Sequence, residues 1–163
     1  MAPTRELEVR SCRKIIKVEY AHQLKSSYSA ACHETIHGHS GVIEIILSSN
    51  KTNDDYMIVD FGQIGAWIKQ LIMEKYDHAL FMHKDMDSEY LECLKKFNKK
   101  LRLTDVNPTA EYFAEDIFNI VQRTLVENNC SATVDEIRFH ETDTGYASYK
   151  RTDMLSGMDG FKF

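Results

Sequence analysis

The sequence predicts an α+β fold resting on an antiparallel sheet. Three observations carry this. β-Branched and apolar segments lie toward the two ends of the chain, at 14–20, 39–47 and 132–140. The middle, from about 60 to 125, repeats apolar residues at helical spacing. Segregated strands and helices favour an antiparallel sheet over alternating βαβ units.

The elements follow in order. Residues 1–12 are polar and aperiodic and are expected as a flexible tail, leaving 13–163 as a single domain, a size that suits one hydrophobic core. Lys14–Tyr20 (KIIKVEY) mixes β-branched residues with alternating charge, as a strand does. Residues 25–31 are small and polar, a loop, and His39–Leu47 is a second strand. Residues 48–55 have turn composition, and Met57–Val59 is expected as a short third strand. Asp60 is placed to cap a helix whose apolar stripe is Ile64, Trp67, Ile68, Leu71 and Ile72. A shorter helix is expected over 88–98, with Leu91, Leu94 and Phe97. Asn107 would cap the next helix, with Pro108 in its first position and Phe113, Ile117, Val121 and Leu125 as its buried face. Residues 132–140 return to a strand pattern, and 146–149 extend or follow it. Residues 155–163 show no period.

Composition narrows the function classes. The chain is 43% hydrophobic and 28% charged, ordinary for a globular protein. Its 20 basic and 25 acidic residues leave a net charge of −5, with no basic stripe of the kind that marks a nucleic-acid binder. The longest apolar-rich runs, such as Val42–Leu47, fall far short of the roughly 20 residues that span a bilayer. Met1–Arg10 has charges of both signs and no apolar core of a secretory signal. The four cysteines are widely spaced without a CxxC, which fits reduced thiols in the cytoplasm.

Three of the seven histidines fall between 33 and 39. His37 and His39 are two apart on a strand, so both rings project from one face. His22 ends the first strand, and a hairpin around 26–36 would bring it beside them. Three neutral imidazoles with an open fourth position suit a catalytic zinc, although an imidazole set also suits copper, iron or nickel. Read alone, HGH is as well explained as surface histidines, and His33 is read as a loop residue. Cys32 stands five positions before His37, where a cation would favour its thiolate. Taken singly, it is as readily a buried small hydrophobe. Asp77-His78 is either a helix-end cap or an oriented acid/base pair. Glu141 either belongs to an ordinary turn or grips an N–C–NH₂ edge through two parallel hydrogen bonds. Spacing does not choose between these.

The order of the pieces resembles the 6-pyruvoyltetrahydropterin synthase / 6-carboxytetrahydropterin synthase family. The matching pieces are Ala21-His22, Cys32 before His37-Gly38-His39, Val59-Asp60-Phe61, Asp77-His78, Pro108-Thr109-Ala110-Glu111 and His140-Glu141-Thr142. The resemblance covers roughly residues 14–149. It implies the tunnelling fold: a four-stranded antiparallel sheet with helices packed on one face. Three sheets join into a barrel, and two barrels stack into a homohexamer with active sites at subunit interfaces. It implies zinc on His22, His37 and His39, and Cys32 as acid/base with Asp77 and His78. It implies Glu141 anchoring a pterin ring near Thr109 and Glu111, and 7,8-dihydroneopterin triphosphate as substrate. Arg13, Lys14 and Lys25 are candidate triphosphate contacts.

The branch turns on the residues before HGH. The 6-carboxytetrahydropterin synthases of queuosine (7-deazapurine) biosynthesis usually carry Cys-x₃-HGH, and the pyruvoyl enzymes Cys-x₅-HGH. This chain has Cys-x₄-HGH. A third branch, the folate-type lyases, has Glu-x₂-HGH, and Glu34 stands at that place. The aromatic usual two residues after HGH is replaced by Gly41. The short loop and the Glu-Thr-Asp-Thr-Gly-Tyr-Ala segment favour the carboxy branch, in which the products are 6-carboxy-5,6,7,8-tetrahydropterin, acetaldehyde and triphosphate. The pyruvoyl synthase is the runner-up, the Glu34 lyase is third, and a zinc-binding assembly protein on the same fold is the non-enzyme alternative.

Overall fold

The computed structural model describes residues 9–151. The aperiodic segment 155–163 and most of the expected tail lie outside them. β1 (Arg10–Gln23) and β2 (His37–Ser49) form a long antiparallel hairpin, in register from Arg10 opposite Ser49 to His22 opposite His37. Residues 10–12, expected in the tail, are thus the first rungs of the sheet. A short helix α1 (Ala30–His33) sits in the loop between the two strands. β5 (Thr133–Thr142) and β6 (Gly145–Lys150) continue the antiparallel pairing on the far side of β2.

The sheet differs from the expected four antiparallel strands. It has six, in the order β4-β3-β1-β2-β5-β6, and β3 (Ala79–His83) and β4 (Leu101–Thr104) are parallel additions beside β1. Both were hidden in the sequence for physical reasons. ALFMH has its first four residues buried and shows no alternation, and LRLT is only four residues long. Met57–Val59, conversely, is not a strand. The Asn53 side chain accepts from the backbone N–H groups of Asp55 and Met57, and Tyr56 adopts φ 64°, which turns the chain. The sheet is open, with β4 and β6 at its edges.

Asp60 caps as expected: its carboxylate accepts from Gly62, while Gln63 Oε1 accepts from the Asp60 N–H, a capping box. Behind it run α2 (Phe61–Ile64), a π-helical stretch (Gly65–Lys69) and α3 (Gln70–Tyr76). Ile64, Ile68 and Ile72 are fully buried, but Leu71 is 41% exposed and leaves the expected stripe. α4 (Ser88–Phe97) buries Leu91 and leaves Phe97 to solvent. α5 (Ala110–Glu127) is capped by Thr109, not Asn107, so Pro108 precedes the cap. Asn107 instead ties down the 25–26 loop, accepting from the Lys25 N–H at 2.8 Å and donating to the Ser26 carbonyl at 3.0 Å.

The main core lies between α2, α3 and α5 and one face of the sheet. Ile16, Val18 and Tyr20 of β1 meet Ile43 and Ile45 of β2, Phe139 of β5 and the Phe113–Ile117–Val121–Leu125 row of α5. Each such fully buried side chain contributes roughly 1.5–3 kcal/mol. Helices do not occupy that face alone. Leu91 of α4 packs on Leu80 and Met82, which point opposite to Ala79 and Phe81 of the same strand. The rest of this second face carries ions rather than a core. Arg13 pairs with Glu44 at 3.2 Å, Arg138 with Glu136 at 2.8 Å, and Lys150 with Glu136 at 3.6 Å. Among the described residues, no helix is long and apolar enough to cross a membrane.

Candidate active site

The hairpin register builds the histidine cluster. His22 stands opposite His37 and Tyr20 opposite His39, and opposed residues of an antiparallel pair project to the same side. Strand parity puts them on the face that holds Val18 and Ile43, beside Phe113 of α5. One ligand atom from each of His22, His37 and His39 lies within 4.8 Å of the others, so the expected trio is brought together.

The donor chemistry of the trio fits a cation. His22 Nδ1 lies 2.7 Å from the Pro108 carbonyl oxygen, and His37 Nδ1 lies 3.0 Å from that of Thr35. A carbonyl only accepts, so both rings carry their proton on Nδ1. Their Nε2 lone pairs then face each other at 2.9 Å. Burial, with the charges of His37 and His39, pushes the His22 pKa down to about 4 against the pull of the Pro108 carbonyl, so the ring is neutral at pH 7. Burial likewise lowers His39, against the nearby charge of Glu141. His39 Nε2 is buried without a hydrogen-bond partner. Imidazoles with a backbone carbonyl behind Nδ1, as at His22 and His37, and Nε2 turned toward the shared centre have the arrangement of metal ligands.

Glu141, at the end of β5, reaches this cluster. Its Oε1 is 3.5 Å from His22 Nε2, 3.8 Å from His39 Nε2 and 3.5 Å from the Tyr20 hydroxyl. Tyr20 was not singled out in the sequence. It is buried, and burial together with the Glu141 charge raises its pKa, so its hydroxyl stays protonated. The signal that would have found it is parity, two residues before His22 on one strand. A cleft of about 330 Å³ opens beside the cluster, lined by His22, Thr109, Glu111, Glu141, Thr142 and Tyr146 among others. Thr109 and Glu111, at the N-terminus of α5, are thus brought together with Glu141 as expected.

The remaining expected residues stand apart. Asp77 and His78 do form a pair, with Asp77 Oδ2 2.8 Å from His78 Nδ1. Asp77 Oδ1 also accepts from the Glu19 N–H, and that bond, with His78 and Lys100, lowers the Asp77 pKa. His78 sits at φ 56° and lines a hollow with Glu19, Ala21, Ile36 and Leu80, on the sheet face opposite His22. Cys32 lies in α1, held through its carbonyl by the Leu24 N–H at 2.9 Å. Among the described residues no hydrogen bond or ion pair joins it to the trio or to Asp77 and His78. Glu34 is exposed beside His33, 3.8 Å away. Arg13 and Lys14 lie eight or nine residues from His22 along β1, about 27–30 Å. They are engaged with Glu44 and the Phe61 ring, so they do not serve this cleft in one chain. Lys25 is exposed near the cleft's end of β1.

Gly41 explains the missing aromatic after HGH. A Cβ there would stand 3.1 Å from both the Phe139 ring and the Tyr20 ring. Those rings already fill the space.

Comparison with known proteins agrees with this architecture. The family described as 6-pyruvoyl tetrahydropterin synthase matches residues 11–152. The 6-carboxy-5,6,7,8-tetrahydropterin synthase of Rickettsia conorii is 33% identical over 141 residues, covering 85% of this chain and 92% of that protein. The enzyme of the same name from Helicobacter pylori (strain J99) is 26% identical, covering 83% and 70%. Among solved structures, an uncharacterized protein of Wolinella succinogenes superimposes with a TM-score of 0.71 at 18% identity, covering 88% of this chain and 99% of that one. The 6-pyruvoyl tetrahydropterin synthase of Caenorhabditis elegans superimposes with a TM-score of 0.62 at 19% identity, covering 89% and 97%. The chain therefore belongs to the 6-pyruvoyl tetrahydropterin synthase family, a family of pterin lyases, and is an enzyme of that class. Within it, the chain sides with the bacterial 6-carboxy-5,6,7,8-tetrahydropterin synthases.

Proposed function

We propose that this enzyme converts 7,8-dihydroneopterin triphosphate to 6-carboxy-5,6,7,8-tetrahydropterin, releasing acetaldehyde and triphosphate, as a zinc-dependent cytoplasmic step of queuosine biosynthesis. The observation that carries the reading is the pair of lone-pair nitrogens of His22 and His37, facing each other at 2.9 Å beside the Glu141 cleft. His22, His37 and His39 would hold the zinc, which supplies Lewis acidity toward the side-chain hydroxyls of the substrate. Glu141 accepts two N–H bonds from the amino-pyrimidine edge of the pterin, and this charge-assisted pair fixes the ring. Thr109 and Glu111 orient it from the start of α5. Cys32 takes and returns the side-chain proton, with Asp77 and His78 as its relay.

In one chain the Asp77–His78 pair opens on the other face of the sheet from the trio. That separation supports a site completed by a neighbouring copy, in keeping with a homohexamer built as a dimer of trimers. The triphosphate contacts would then be shared between Lys25 and a neighbour. The test is product analysis. Zinc-loaded protein with 7,8-dihydroneopterin triphosphate should give the 6-carboxy product and acetaldehyde by mass spectrometry. A 6-pyruvoyl product would move the chain to the pyruvoyl branch, and 6-hydroxymethyldihydropterin would implicate Glu34.

A further inference from the structure

We propose that Gln23, braced by Tyr90, is a positioning residue that holds α1 with Cys32 turned inward and Glu34 turned to solvent. The inference deepens the reading of Cys32 as the acid/base group and rests on it.

α1 cannot set its own position. It is one turn, Ala30–His33, and none of its four residues is buried. Its internal bonds run from the Cys32 N–H to the Ser29 carbonyl at 3.1 Å and from the Glu34 N–H to the Ala30 carbonyl at 2.8 Å. A helix that short is not stable by itself in water. Two hydrogen bonds tie it to the end of β1 and the residue that follows. The Leu24 N–H donates to the Cys32 carbonyl at 2.9 Å, and Gln23 Nε2 donates to the His33 carbonyl at 2.7 Å.

The Gln23 amide has one orientation. A carbonyl only accepts, so the NH₂ end faces His33 and Oε1 faces away. There the Tyr90 hydroxyl of α4 donates to Oε1 at 2.8 Å. Gln23 is 6% exposed, so losing either partner strands a buried polar group. Strand parity turns Gln23 to the sheet face opposite His22, where α4 packs and His78 opens. The strut runs from α4 through β1 to α1 without touching the trio.

What it fixes is a rotation. Two residues apart on a helical turn, Cys32 and Glu34 point about 200° apart. With the carbonyls of Cys32 and His33 both held, Cys32 is half-buried and the Glu34 side chain is 69% exposed. Either group can carry a proton, and the anchored turn selects the thiol. Without Gln23 the turn hangs on the Leu24 bond alone.

Thiol labelling and kinetics on the zinc-loaded full chain test this. Gln23→Met keeps the volume and loses both polar ends, and Tyr90→Phe loses only the brace. In both, iodoacetamide should label Cys32 faster by peptide mass spectrometry, while Cys12 near the start of β1 keeps its rate. In Gln23→Met, kcat should fall about tenfold, the equivalent of one lost hydrogen bond, with KM and bound zinc unchanged. In a Cys32→Ala background the same substitution should cost nothing further, because the two residues act through one step. An unchanged labelling rate or an unchanged kcat in Gln23→Met would overturn the proposal. So would a loss of kcat that persists in full in the Cys32→Ala background. If Gln23→Met does not fold, Tyr90→Phe decides by the same readouts. If Cys32→Ala turns over like wild type, the acid/base reading fails on its own, and the labelling of Cys32 still shows whether Gln23 holds α1.

Discussion

His22 and His37 present their Nε2 atoms to each other at 2.9 Å while the far nitrogen of each ring is tied to a backbone carbonyl. Metal-free protein must hold these lone pairs together without compensation. Chelation should therefore lower the thermal midpoint, and adding zinc should restore it. The gain is about 4 kcal/mol at a thousandfold excess over Kd. His37→Ala should remove this dependence, leaving the same midpoint with or without metal by calorimetry. Full zinc occupancy in that variant would refute the ligand assignment.

Cys32 lies in α1, within the loop between β1 and β2, and among the described residues no hydrogen bond or ion pair joins it to the trio, so its removal should spare the metal. Cys32→Ala is expected to cost about 10²–10⁴ in kcat, the usual size of an acid/base contribution. Bound zinc and solution mass should not change. Glu34→Ala should turn over normally. The reverse pattern, an active Cys32→Ala and an inactive Glu34→Ala, would hand the proton chemistry to Glu34.

Gly41 is packed against Phe139, Tyr20 and Val18, and an added methyl carbon would stand only 3.1 Å from each of the first two and 3.3 Å from the third. Gly41→Ala should lower stability by about 1–3 kcal/mol, read as a reduced urea midpoint at unchanged slope. The Tyr20 ring lies 5.5 Å from His39, so the variant should also weaken metal binding. An unchanged urea midpoint would mean that Phe139 and Tyr20 shift aside freely.

Tyr76 is fully buried and its hydroxyl donates to Asp116, which Lys75 also grips. Burial, and then the Asp116 charge, raise its pKa above the ordinary value of 10.0. The unfolded chain therefore loses this proton first. The stabilising contribution is complete below pH 10 and is lost as pH rises beyond it. Tyr76→Phe should flatten the alkaline limb of the stability curve, and equilibrium unfolding from pH 9 upward would show whether it does.

What was legible in the chain was local or periodic. HGH announced two rings on one strand face, Asp60 announced a helix start, and Phe113 to Leu125 announced one helix face. What stayed hidden depended on distant partners. Ala79–His83 is a strand because it pairs between β1 and β4 while the main core and α4 cover its two faces, and its own residues show no alternation. Asn107 resembles a cap by type, but its side chain is committed to Lys25 and Ser26, and Thr109 takes its place. Arg13 and Lys14 looked available as phosphate contacts until the length of β1 separated them from His22. Tyr20 drew no attention because a tyrosine in a strand is ordinary. Its meaning comes from Glu141, 121 positions away.

The two faces of the β1–β2 hairpin set a rule for how such a site can change. His39 is in phase with Gly41, Ile43 and Ile45 of the core, whereas Glu44 is in phase with the ions of the opposite face. A single inserted residue between His39 and Ile43 would invert that phase. It would turn the imidazole outward or carry the glutamate among the isoleucines, so neither half could drift alone. The loop from Lys25 to Ile36 has no such constraint and can lengthen or shorten around Cys32. Divergence among related enzymes should therefore collect before HGH, while the spacing behind it moves only in pairs of residues.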